Sequence, residues 1–206
     1  MPLQGKHCWD GVDVWVWKIT ETTDELSQLV PEGLACYAQE KFASEKRRAE
    51  WLAVRAIVAQ QFGDKVRVVY DVAGKPSIEG VAGYISVSHT KGYAVVAFSR
   101  ECEVGVDVEL VSRDVLSVAG RFMPAESLDV FPSVERNKVA LLNWCAKEAL
   151  FKITGDLGGN FKDNISVCEL GSGERGRVTL TLTGVDCLGE PLFVVLCRRQ
   201  SAVVNE

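Results

Sequence analysis

The chain has 206 residues, 47% of them hydrophobic and 25% charged, with a formal net charge of -5 at pH 7. That balance describes a folded globular protein, one domain or two fused halves, and it excludes the global positive field that gathers nucleic acid. The longest apolar stretches, such as Tyr93 to Phe98 and Leu192 to Cys197, are strand-sized and far below the roughly 20 residues that span a bilayer, so no membrane segment is expected.

Trp9 and Asp10 stand where a secretory signal would need an uninterrupted apolar core, so export is not expected and a cytoplasmic home is. Val12, Val14 and Val16 then alternate with Asp13, Trp15 and Trp17 before Lys18 and Ile19, which predicts a first strand. Asp24 to Gln39 and Ser44 to Phe62 read as helices. The second has Ser44 as N-cap, Glu45 in its first turn, Gly63 as its stop and an apolar stripe through Leu52, Ala53, Ala56 and Ile57. Three strands follow, Val66 to Tyr70, Tyr84 to Ser88 and Tyr93 to Ser99, punctuated by Gly74-Lys75-Pro76, Gly80, Gly83 and Gly92.

From Val104 a similar order resumes. A strand to Leu110 leads to helical stretches near Asp114 to Arg121 and Val134 to Thr154, then strands near Ile165 to Leu170, Arg177 to Leu182 and Leu192 to Arg198. The expected class is α+β, with residues 1–100 and 101–206 as two halves of like size and no residue-level repeat between them. The cysteines, at 8, 36, 102, 145, 168, 187 and 197, are odd in number and never spaced C-x-x-C, so they read as reduced interior thiols. His7-Cys8 without a second cluster makes a poor zinc site.

In Gly105-Val106-Asp107-Val108-Glu109 the alternation puts Val104, Val106, Val108 and Leu110 on one face of a strand and the two carboxylates together on the other. Such hard oxygen donors suit Mg²⁺, although taken alone the pattern reads first as a strand with one solvated face. Trp144, Glu148 and Lys152 stand at i, i+4 and i+8, one stripe of a helix. A Glu–Lys pair at that spacing is also an ordinary surface pair, but a large aromatic in the same stripe points to a cleft. Arg48 and Arg55, two turns apart in Glu45 to Arg55, can present two guanidinium forks to phosphate, whereas Lys46 and Arg47 read as a solvated face balanced by Glu45 and Glu50. Gly74-Lys75-Pro76 presents a lysine on a turn, and Ser86-Val87-Ser88-His89-Thr90 ends a strand with hydroxyls around one of two histidines.

In order and spacing, the arginine helix, G-K-P, S-V-S-H-T, G-V-D-V-E and W-C-A-K-E-A-L-F-K together resemble the 4'-phosphopantetheinyl transferase superfamily, in its longer surfactin-synthetase-activating type. The match runs from about Ser44 to Lys152. Beyond it Gly155, Gly158 and Phe161 loosely resemble the family's glycine-rich segment, and Arg121 to Glu126 an aromatic-then-acid stretch. Ser86 departs from the asparagine many members carry two places before the motif serine, and Cys145 from the serine frequent after the tryptophan.

The resemblance implies two pseudo-symmetric α/β halves with the active site between them, the N-terminal half gripping the coenzyme A nucleotide and the C-terminal half carrying the metal and catalytic motifs. It implies transfer of the 4'-phosphopantetheine group of coenzyme A to a serine of an apo acyl or peptidyl carrier protein, with release of 3',5'-ADP. Asp107, Glu109 and Glu148 would hold Mg²⁺. Glu148 and Lys152 would be catalytic, as base and as charge stabiliser, and Arg48, Arg55, Lys75, Ser88 and His89 would grip the nucleotide, chiefly its 3'-phosphate. A single chain would form the whole cleft, so a monomer is expected. The rivals are a non-catalytic coenzyme A or carrier-protein binding module and a magnesium-dependent phosphohydrolase.

Overall fold

In the computed structural model, residues 3–9, 11–155, 178–187 and 190–199 are described, and the chain divides into two units, Met1–Glu101 and Cys102–Glu206. Both mix helices with antiparallel strands.

The first unit is built on β1 (Leu3–Trp9), β2 (Val12–Lys18), β5 (Tyr84–Thr90) and β6 (Tyr93–Ser99), in the sheet order β1-β2-β6-β5. A separate hairpin pairs β3 (Val68–Tyr70) with β4 (Pro76–Ile78). Helix α3 (Glu45–Phe62) lies on the sheet, where Leu52, Ala56 and Ile57 pack with Trp15, Trp17, Ile85, Val96 and Phe98. Each fully buried large side chain in such a layer contributes on the order of 1.5–3 kcal/mol. Ser44 caps α3, accepting from the Arg47 N–H at 3.4 Å, and Gly63 ends it with φ 98°. The predicted helix over Asp24 to Gln39 is two helices, α1 (Thr23–Ser27) and α2 (Leu34–Lys41). Pro31 lacks the amide a continuous helix needs and Gly33 sits at φ 86°, so the chain turns between them. A capping box of Thr22 and Glu25 starts α1.

The second unit has the sheet order β7-β9-β8, from β7 (Val104–Leu110), β8 (Val178–Cys187) and β9 (Glu190–Arg199). Helix α4 (Ser133–Thr154) packs on β7 and β9 through Cys145, Ala146, Ala149 and Ile153 against Val195 and Cys197. The stretch predicted as helix near Asp114 is a 3-10 turn, Leu116–Arg121, followed by a second over Ala125–Leu128. Both faces of β7 are buried, so the reading of a strand with one solvated face does not apply. The strand predicted over Ile165 to Leu170, with Gly158 and Phe161, lies outside the described residues. No helix among those residues is long and apolar enough to cross a membrane.

Candidate functional site

Gly105 sets the geometry of the acidic cluster. A Cβ there would overlap the backbone carbonyl of Ala149 and lie 3.1 Å from Ile153 Cγ1, so only glycine lets α4 rest directly on β7. Side chains on that face of the strand, Asp107 and Glu109 among them, then stand beside the stripe of α4 that carries Cys145, Glu148 and Lys152. Lys152 Nζ donates to Asp107 Oδ1 at 3.0 Å and to the Val106 carbonyl at 2.7 Å. Asp107 is buried, and Lys152 is about a quarter exposed, its side chain at 26%.

Glu148 is half-buried beside them. Burial first, and the charge of Asp107 second, push its carboxyl above the ordinary value, while Lys152 and Arg113 pull the other way. Cys145, fully buried, donates its thiol to Asp107, and its pKa is raised by burial and then by that carboxylate. Cys197 is pushed up to about 12, again by burial and then Asp107. Glu109 is buried in an ion pair with Arg113, a cation the sequence reading did not single out. Arg113 follows Glu109 by four residues across the end of β7, and that spacing was the available signal.

Asp107, Glu148 and Lys152 are therefore brought together, with Glu109 alongside in the keeping of Arg113. Two carboxylates pressing on one another, with oxygen donors only, fit a hard divalent cation that needs one or two protein carboxylates and completes its shell with water and phosphate. Among the described residues no group of three or more His, Cys, Asp or Glu side chains is arranged as a metal cage.

Trp144 and Lys147 point elsewhere on α4. Trp144 meets Phe122 edge to face at 5.2 Å, and buried Lys147 donates to the Phe122 carbonyl. Both fasten the 3-10 segment to the helix.

The predicted nucleotide grip is spread over several surfaces of the first unit. His89 ends β5 on the face turned to α3, where its Nδ1 lies 3.2 Å from Glu50 Oε2 and its Nε2 meets the Arg47 guanidinium. Glu50 is 5% exposed and also pairs with Arg47 at 3.4 Å and Lys46 at 3.6 Å. Arg47, read from sequence as solvated, is thus half-buried against His89. Ser88, one residue along β5, falls on the opposite face and is buried.

Arg48 turns toward α2, donating to the carbonyls of Phe42 and Ala43 at 2.8 and 3.1 Å, and borders a cleft with Asp24, Cys36 and Gln39. Arg55 is buried, stacked 3.8 Å from the Trp51 ring centroid and bonded to the Tyr70 hydroxyl at 3.0 Å. Burial lowers its pKa and Tyr70 partly offsets that. Lys75 closes the β3–β4 hairpin, its amide bonded to Asp71 Oδ1 at 2.8 Å. His89 is thus brought into the Glu50–Arg47 cluster, while Arg48 and Arg55 bond elsewhere in the unit.

Residues 103–195, which hold the whole acidic cluster, match the family model of the 4'-phosphopantetheinyl transferase superfamily. This stretch of the chain is thus similar to that superfamily. Its relatives include a Synechocystis protein bearing the name of a 4'-phosphopantetheinyl transferase, slr0495, 30% identical over 115 residues, which are 50% of this chain and 47% of that protein. The 4'-phosphopantetheinyl transferase HetI of Nostoc is 27% identical over 166 residues, 70% of this chain and 69% of its own. The match thus spans about half the length of the first of these curated relatives and about two thirds of the second.

Proposed function

We propose that this protein transfers the 4'-phosphopantetheine group of coenzyme A to a serine hydroxyl of an apo acyl or peptidyl carrier protein, releasing 3',5'-ADP. What carries the reading is the convergence of Asp107, Glu148 and Lys152 within the superfamily domain. The serine oxygen attacks the phosphorus that bears pantetheine, and the bond from that phosphorus to the bridging oxygen of the pyrophosphate breaks. Glu148, whose carboxyl holds a proton more readily than usual, takes the proton of the serine. Lys152, aimed by Asp107 and the Val106 carbonyl, places a fixed positive charge where the leaving pyrophosphate oxygen becomes negative. Asp107 and Glu148, with Glu109 beside them, are the residues that would hold Mg²⁺, which when bound supplies charge neutralisation at the pyrophosphate.

The nucleotide is assigned to the first unit, with His89 and Lys75 as its phosphate contacts and Arg48, Arg55 and Ser88 as further candidates on neighbouring surfaces of that unit. The recurrence of strand, helix, strands in each unit supports reading them as related halves of the longer, surfactin-synthetase-activating type, and the protein is taken to act as a cytoplasmic monomer.

The test is to incubate the protein with coenzyme A, Mg²⁺ and a panel of apo carrier proteins and to follow intact mass. Transfer adds one phosphopantetheine to a carrier, and Asp107→Ala and Glu148→Ala abolish it. Cleavage of coenzyme A without any carrier would instead establish a phosphohydrolase, and binding without either reaction a non-catalytic module.

A further inference from the structure

Glu50 is a buried carboxylate on α3 that neither the acidic cluster nor the apolar core accounts for. It faces two groups that can meet an anion. Its Oε2 lies 3.2 Å from His89 Nδ1 and 3.4 Å from the Arg47 guanidinium, while Oε1 pairs with Lys46 at 3.6 Å. The other ring nitrogen of His89, Nε2, meets Arg47 as well. Arginine can only donate, so Nε2 accepts from it and the ring proton resides on Nδ1, donated to Glu50. A neutral imidazole left to itself prefers its proton on Nε2, so the arrangement reverses that preference. One carboxylate thereby fixes the tautomer of the histidine, the tilt of its ring and the reach of the neighbouring arginine.

We propose that Glu50 is a positioning residue, holding His89 by its Nδ1–H and Arg47 beside it so that the His89 Nε2, on taking up a proton as the anion arrives, and the guanidinium both donate to the same phosphate monoester of the donor. This rests on the reading of the protein as coenzyme A-dependent, in which the 3'-phosphate is the only monoester on the donor. Glu50 itself does not touch the ligand. Its charge balances the two nearby cations, Arg47 and Lys46, so that the cluster does not repel itself apart before an anion arrives.

The test begins with nitrogen-15 NMR of histidine side chains, made simple because the chain has two histidines, His7 and His89. In the wild-type protein, above the pH at which the ring is charged, His89 should show its proton on Nδ1. In Glu50→Ala it should move to Nε2, and Glu50→Gln should retain part of the original signal because its amide oxygen still accepts. A wild-type ring protonated on Nε2 overturns the proposal without any variant, and so does an unchanged tautomer in Glu50→Ala.

Steady-state kinetics give the second arm. Glu50→Gln should raise the KM for coenzyme A about tenfold with kcat within about twofold, and leave the KM for dephospho-coenzyme A unchanged. An equal rise for both donors overturns the assignment to the monoester. If the wild-type protein turns over no coenzyme A but the tautomer result holds, the proposed function fails while the positioning of His89 by Glu50 stands.

Discussion

Gly105 and Ala149 are in backbone contact: the strand runs so near the helix that the carbonyl of Ala149 occupies the place a Cβ at 105 would take. Gly105→Ala therefore has to push α4 off β7, moving Lys152 away from Asp107. The expected cost is about 1–3 kcal/mol in chemical denaturation, with turnover falling well beyond what the loss of folded protein explains.

Replacing Lys152 by Met keeps much of the length and removes the charge. Buried Asp107 then loses its 3.0 Å cation, so Lys152→Met should lower the melting temperature as well as the rate. A fall in kcat of about a hundredfold or more is expected, with the KM for coenzyme A changed far less. A variant that keeps wild-type kcat would show that Lys152 only supports the strand.

Glu148 gives stability a pH dependence that can be read in chelator-treated protein. Its carboxyl is raised in the folded chain, by burial and then by Asp107, so folding favours its protonated form and opposes its ionised form. The stabilisation is present below the unfolded carboxylate value of about 4.3 and is lost as pH rises through the folded value. Glu148→Gln, which cannot ionise, should accordingly melt at a higher temperature than wild type at pH 7. That advantage should shrink as pH falls toward 4. An equal advantage at both values would mean that packing, not charge, is responsible.

Arg55 lies against Trp51 and is bonded to Tyr70, which marks it as a support for the helix and the β3–β4 hairpin. Arg55→Ala should cost about 2 kcal/mol or more, measured in urea. Arg55→Lys retains charge but not the flat stacking face and should recover only part of it. Any rise in the KM for coenzyme A should follow this loss of stability across the two variants.

Thiol reagents should separate the cysteines by burial. Cys8 and Cys36 are exposed and should label within minutes, whereas Cys145 and Cys197, buried and held as thiols near Asp107, should label only on unfolding. Mass mapping of the labelled native protein checks this, and rapid labelling of Cys145 would mean that α4 lifts from β7.

Much of this was legible where local chemistry decides structure. Ser44 and Gly63 bracket α3 because a cap and a left-handed glycine need no distant partner. The alternation around Asp107 located β7, and the i+4 spacing of Glu148 and Lys152 located the facing stripe. What stayed hidden depends on partners far along the chain. Strand β1, Leu3–Trp9, has little alternation of its own and exists by pairing with β2. Glu50 looked like a surface counterion because the spacing of α3 does not reveal that β5 delivers His89 onto that face. Ser88 and His89 are neighbours in sequence, and only the pleat of β5 sends them to opposite sides.

The segment Trp144 to Lys152 joins two tasks around one helix. Trp144 and Lys147 clamp the Phe122 turn, while Cys145, Glu148 and Lys152 address Asp107. The two sets interleave along the helix, so one residue inserted between Trp144 and Cys145 would turn Trp144 by about 100° against Glu148 and Lys152. Fastening and chemistry are in this way keyed to a common axle: the turn serves as the index mark that tells the helix at what angle to stop, and a change that lets the clamp slip also misaims the charge.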